Sequence, residues 1–360
     1  MDYKGRLQRI RAALAESRLD ALLVTHLPNI RYLCGFTGSA AVLAVNQRQC
    51  TLFTDGRYTE QAREEVRAAR IRISKGKSAQ ASVAEWLGRE SAMRRLGIEA
   101  QHLTVAERNV LARSLPRHSK LVEAIPMVER LRMTKDSEEI ARIRAACHLG
   151  VDLFGGMSKV LRAGVRESEV AGELEFAARK SGADQMAFPT IVAAGRRSAL
   201  PHGRASQMAI PRRGFVVFDF GVILAGYCSD MTRTVHMGSA QRDAGHLYES
   251  VREAQQAALD KVRPGVTVGE VDAAARKLLQ NRKLGRFFTH STGHGLGLEI
   301  HEGPRVAAGQ NERLQPGMVI TIEPGVYLPG RYGVRIEDTV VVTETGCEIL
   351  TPCSKQFLSV

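Results

Sequence analysis

The 360-residue chain is poor in the residues that build thiol sites: six cysteines, at 34, 50, 147, 228, 347 and 353, with no CxxC pair among them. That spacing excludes a zinc knuckle and a dithiol redox motif, and the six read as reduced thiols. Long apolar runs are missing too. None approaches the about 20 residues that a membrane span requires. The opening MDYKGRLQRIRAALAESRLD alternates charge with Leu7, Ile10 and Leu14 at helical spacing and lacks the apolar centre of a secretory leader. A cytoplasmic protein that uses no membrane is expected. Low-complexity segments and short-period repeats are also absent, so neither a disordered linker nor a solenoid is indicated.

Ordinary globular composition is present: 44% hydrophobic and 25% charged residues. The length exceeds one comfortable core and suits two domains. Lys and Arg outnumber Asp and Glu by 51 to 38, giving +13, a field that favours acidic partners. The basic residues are nevertheless scattered. The densest group, Arg63, Arg67, Arg70 and Arg72, lacks interleaved aromatics and reads as the solvated face of a helix, so no nucleic-acid partner is expected. Residues 1–130 alternate helical patterns with the apolar runs Ala21 to Val24, Ala41 to Val45 and Leu96 to Glu99, as a small α/β domain does. Near residue 130 the texture changes. Lys135 to Glu139 opens a long amphipathic helix with Thr134 as its expected cap, and further helices are expected around Glu167 to Ser181 and Gln241 to Val262. A second domain is therefore expected over 131–360.

The chemistry-bearing residues gather in that second half. In FVVFDFGVILAGYCSDMTRTV, Asp219 lies inside an apolar run and Asp230 follows eleven residues later, beyond a turn at Gly226. Two pairing strands would set the carboxylates side by side, although turn amides could also satisfy both. A buried aspartate otherwise needs a cation. THSTGHGLGLEIHEGP holds His290, His294 and His301. Its glycines disfavour a helix, and no Glu follows His290, so a loop is read there in place of a zincin helix. Lone histidines are usually core or surface residues; three in one glycine-kinked stretch point to a site. In MVITIEPGVY and GVRIEDTVVV, strand alternation puts Glu323 on one face with Val319 and Thr321, and Glu337 with Arg335 and Thr339. Asp338 then points away and reads as structural or surface. Asp219, Asp230, His294, Glu323 and Glu337 make four carboxylates and one imidazole, whose formal −4 two divalent cations would cancel. Oxygen-dominated ligands suit manganese, cobalt or zinc.

In order and spacing these segments resemble the M24, or pita-bread, metallopeptidases, and within them the proline-peptidase branch of Xaa-Pro dipeptidases and aminopeptidases P. NIRYLCGFTGS and TDGRYTEQA are similar to the family's N-terminal domain, while PHG at 201–203, DFG with SDMTRT, STGHGLGLEIHE, TIEPGVY and GVRIEDT are similar to the catalytic blocks. The resemblance implies an α+β chain, a pita-bread catalytic domain behind a smaller α/β domain, and hydrolysis of the bond before proline. It implies Asp219 on one metal, His294 and Glu323 on the other, and Asp230 and Glu337 bridging, with manganese the first expectation and cobalt or zinc the alternatives. Glu323 is expected to carry the proton and His290 to stabilise the oxyanion; His202 and His301 are expected in proton handling and at the substrate, with Arg335 beside substrate and metals. The partners expected are peptides with proline second and another copy of the chain, in a homodimer. Dipeptidase and aminopeptidase remain open. A catalytically inactive module binding protein or nucleic acid is the reading from another class.

Overall fold

A computed structural model describes residues 1–76, 78–89 and 93–360, and the chain divides into two compact units, Met1–Arg132 and Met133–Val360. Among the described residues no helix is long and apolar enough to cross a membrane.

The first unit is built on a sheet of β1 (Ala21–Val24), β2 (Ala41–Asn46), β3 (Cys50–Asp55), β4 (Arg70–Ser74), β5 (Arg95–Ile98) and β6 (Lys120–Glu123), in the order β4-β3-β2-β1-β5-β6. The helices of this stretch are α1 (Tyr3–Glu16), α2 (Leu27–Cys34), α3 (Thr59–Glu65), α4 (Ala79–Arg89), α5 (Val105–Ser114) and α6 (Met127–Met133). Leu7, Ile10 and Leu14 are the buried stripe of α1, as their spacing predicts. The arginine group falls differently from its helical expectation. Only Arg63 is helical, whereas Arg70 and Arg72 are the exposed positions of the edge strand β4, whose period of two was hidden by the charges.

The second unit mixes sheets and helices. β8 (Ile191–Ala194), β9 (Gly214–Phe220) and β12 (Met231–Met237) form one antiparallel sheet, and the short β7 (Gln185–Met186), β10 (Val222–Leu224) and β11 (Tyr227–Cys228) form another. β13 (Gly293–Gly295), β14 (Glu302–Val306), β15 (Val319–Ile322), β18 (Asp338–Val342) and β19 (Cys347–Ile349) form a third, and β16 (Gly325–Leu328) pairs with β17 (Tyr332–Arg335). Helices α7 (Ser137–Gly156) and α8 (Glu167–Lys180) pack Ala146, Val170 and Leu174 against Val216, Phe218 and Phe220 of β9. Helices α9 (Arg242–Leu259) and α10 (Val268–Asn281) pack Val251, Ala254, Val271 and Ala275 against Ile320, Ile322, Val340 and Val342. Strand alternation then sends Asp219, Thr321 and Thr339 to the opposite faces.

Several local expectations shift. Helix α7 is capped by Asp136, which closes a capping box with Glu139, while Thr134 pairs with Met318. Helix α10 has no counterpart in the sequence reading, although Thr267 and Glu270 make a capping box at its start. The stretch GVRIEDTVVV is two strands in different sheets, with Glu337 at the break between them.

Candidate metal centre

Antiparallel pairing of β9 with β12 sets Asp219 opposite Thr232, so Asp230, just ahead of β12, returns to the same end of the pair. Pairing of β15 with β18 sets Ile322 opposite Asp338, which brings Glu323 and Glu337, each one residue outside its strand, to adjacent strand ends. His294 is the middle residue of β13, a strand where a loop was expected. Its flanking glycines serve close approach. A Cβ on Gly293 would collide with the carbonyl oxygen of Thr321, and one on Gly295 with that of Gly303, so only glycine lets β13 lie between β14 and β15.

These residues share one cleft of about 660 Å³, together with His202, His290, His301 and Arg335. His294 Nε2 lies 3.6 Å from Asp230 Oδ2 and 3.4 Å from Glu323 Oε1. Asp230, His294 and Glu337 each offer a ligand atom within 4.8 Å of the others. Asp219, by contrast, is held by the Arg335 guanidinium. Among the described residues, Asp230 Oδ1 and Glu337 Oε1 are buried with no hydrogen-bond partner. Buried carboxylate oxygens are not left bare without cause. A divalent cation satisfies both, and the donor set of carboxylates with one imidazole fits such an ion.

Electrostatics agrees with that fit. Burial, then the neighbouring carboxylates, pushes Asp230 and Glu337 well above the usual carboxylate range, and burial takes Glu323 up to about 8. Burial and the proximity of His301 bring His294 down to about 4, so its ring is neutral and can donate a lone pair to a metal. A testable pH dependence follows for the metal-free protein. The raised carboxylates hold protons in the folded chain that the unfolded chain has released, so their contribution to stability is complete below the ordinary carboxylate range and is lost as pH rises through the folded values. Between pH 7 and 8 the lowered histidines are largely neutral in both states. Melting of the metal-free protein is therefore expected to fall over that interval, while the increment from added divalent metal grows because binding displaces protons. Equal melting temperatures at both pH values in metal-free protein would contradict this balance.

Beside the carboxylates runs a buried polar chain. Arg335 donates to Asp219, to Thr232 Oγ1 at 3.1 Å, to the Pro201 carbonyl at 3.0 Å and to Tyr327 Oη at 2.6 Å. Thr232 passes its own hydroxyl proton to Glu337 Oε2 at 2.7 Å. His290 Nδ1 faces the Ser291 carbonyl at 2.8 Å, and because a carbonyl only accepts, Nδ1 carries the proton. With burial, then Arg335, lowering its pKa to about 4, the ring is neutral, and Nε2 accepts from Tyr327 at 2.9 Å. Tyr327 and Thr232 were not singled out in the sequence reading, though both stand inside quoted segments, TIEPGVY and SDMTRT. Hydroxyls on strands carry no signal apart from the groups they face. Tyr327→Phe removes two hydrogen bonds, one from the buried Arg335 charge and one to His290, and a loss of at least about 1.5–3 kcal/mol of stability is expected by denaturant unfolding.

Residues 141–344 match Metallopeptidase family M24, and residues 6–134 match the Creatinase/Prolidase N-terminal domain. This chain belongs to metallopeptidase family M24. Among its M24 relatives, an Xaa-Pro dipeptidase of Pyrococcus furiosus is 36% identical over 99% of this chain and 100% of its own. The structure of an Xaa-Pro dipeptidase from Bacillus anthracis superposes with a TM-score of 0.96 at 37% identity, over 99% of this chain and 100% of that one. An X-Pro aminopeptidase structure from Thermotoga maritima gives 0.89 at 35% identity, over 99% and 100%. The expected α+β architecture, a pita-bread domain preceded by a smaller α/β domain, is thus borne out. An M24 metallopeptidase uses divalent metal ions, and the cleft offers them a seat.

Proposed function

We propose that this chain is a two-metal exopeptidase cleaving the Xaa-Pro bond, and that Asp219, Asp230, His294, Glu323 and Glu337 hold its ions. The observation that carries the reading is the pair of partnerless buried oxygens on Asp230 and Glu337, beside His294, in a cleft whose M24 relatives include Xaa-Pro dipeptidases. Manganese is the first choice, with cobalt or zinc as alternatives. The catalytic work is assigned to 131–360 and the smaller domain to 1–130. The six cysteines, none in a disulfide, support a reducing, cytoplasmic setting, and the reading includes a homodimer with no nucleic acid or membrane partner.

Divalent ions in this cleft supply Lewis-acid polarisation of a carbonyl and lower the pKa of water. Glu323, ionised beside the cations, would take a proton from the attacking water and return it to the prolyl nitrogen, which is a poor leaving group unless protonated. The hydrogen bonds of His290 favour a supporting task over the oxyanion donation expected of it. Its one ring proton is directed at Ser291 and its Nε2 receives Tyr327, so it orients Tyr327 and through it Arg335. Oxyanion donation passes to His202 or His301, whose rings face the cleft with no hydrogen bond among the described residues. Because a prolyl bond has no N–H, selection falls to shape, with Phe188, Ile191 and Ile300 beside the two histidines.

Arg204 and Arg305 also line the cleft without an ion pair among the described residues, and they seat a carboxylate next to the proline. That favours a dipeptide. Purified protein is expected to hydrolyse Ala-Pro faster than Ala-Pro-Ala-Ala, to lose both activities on chelation, and to recover with Mn(II), Co(II) or Zn(II). Full activity in protein shown to be free of metal would defeat the function; preference for the longer peptide would defeat only the choice of dipeptide.

A further inference from the structure

The segment 351–358 makes buried contacts that the reaction does not use. Asp338 is fully buried immediately after Glu337. Its Oδ1 receives Arg233 Nη2 at 2.7 Å and Thr351 Oγ1 at 3.1 Å; its Oδ2 receives Lys355 Nζ at 2.7 Å and Gln255 Nε2 at 2.8 Å. Arg233, which follows Thr232 on β12, also donates to the carbonyls of Thr351 at 3.3 Å, Cys353 at 2.9 Å and Ser354 at 3.3 Å. In the other direction it donates to the Thr232 carbonyl at 2.9 Å and to the Glu337 carbonyl. One guanidinium therefore ties the segment to the peptide of Glu337. A second tie reaches Asp230. Thr351 Oγ1 accepts from the Thr339 amide at 3.1 Å, and the Thr339 hydroxyl donates to the Asp230 carbonyl at 2.8 Å. Further on, the Phe357 ring stands edge-on to Tyr248 at 5.0 Å and the Leu358 carbonyl takes the His236 amide at 2.9 Å, which pins the segment along β12.

We propose that residues 351–358 form a strap that positions Asp230 and Glu337, with Lys355 and Thr351 as positioning residues that set how tightly the centre holds a divalent cation. The inference rests on the ligand reading given above. Asp338 is shared between two cations, and withdrawing Lys355 leaves Arg233 as its sole charged partner in a fully buried place. The guanidinium then shifts towards Asp338 and relinquishes the Glu337 carbonyl. Partners behind a metal ligand act on affinity in this way, typically by about 10–100-fold. A strap that only added stability would lower the melting temperature of metal-free protein and leave the affinity of the folded chain untouched.

The test is Mn(II) titration of full-length, chelator-stripped protein against a chromogenic competitor, well below melting, with folding checked by circular dichroism. Lys355→Met and Thr351→Val, each close in shape to the residue replaced, are expected to raise the Kd for Mn(II) about 10-fold, and Lys355→Arg to recover most of the loss. Should Lys355→Met not fold, Thr351→Val carries the measurement alone. An unchanged Kd in a folded variant overturns the strap. Wild-type protein that binds no Mn(II) overturns the ligand reading beneath it, and the strap falls with it.

Discussion

Glu337→Gln is expected to leave a folded chain that retains little divalent metal and shows no measurable Xaa-Pro hydrolysis. The carboxylate is buried, one oxygen takes the Thr232 hydroxyl and the other has no partner among the described residues, so the amide replaces an anion at the point where a cation would sit. Loss of a direct ligand should exceed the about 10–100-fold weakening usual for residues behind the ligands. Metal content after gel filtration, read beside circular dichroism, checks it. The metal-free form of this variant is also expected to melt higher than metal-free wild type above pH 7, because a neutral amide removes one member of a mutually repelling carboxylate group. Full metal content in Glu337→Gln would remove Glu337 from the ligand set.

Glu323→Gln separates proton transfer from metal retention. Here the expected result is a fall in kcat of about 10²–10⁴-fold. Metal content should fall by less than in Glu337→Gln, since the amide oxygen still faces His294 and Thr321. A pH profile supplies the second readout: the limb of kcat set by the Glu323 carboxyl is expected to disappear. A variant with wild-type kcat would end the assignment of Glu323 as the proton carrier.

The residue types of the site were legible in the sequence because buried carboxylates in apolar runs have few structural uses. Asp219 in FVVFDF and Glu323 after MVITI declare themselves by the apolar company they keep. What was not legible was where strands break. Arg335, Glu337 and Asp338 share an unbroken β-type run, yet Glu337 sits between two strands that pair with different partners, a matter of long-range register that no local pattern encodes. The His294 stretch was misread for a related reason. Glycine is a poor helix and strand former by itself, and here it is required by the closeness of two neighbouring backbones. Asp338 was left as structural or surface; its two cationic partners, Arg233 and Lys355, come from distant positions and make it structural.

The carboxylates come in two pairs, one at the ends of β9 and β12 and the other at the ends of β15 and β18, with α9 and α10 between them in the chain. During synthesis the first pair emerges long before the second, and bringing such distant segments together carries a loop-closure cost that local elements do not bear. A nascent chain lacking β15 and β18 thus presents half the anionic charge and neither Glu323 nor Glu337. If the proposed ligands hold the ions, such a chain would be a weak chelator, and a mismatched ion picked up early would leave again. On the proposed ligand set, only the completed fold would close the grip, so metal would be taken up by finished chains.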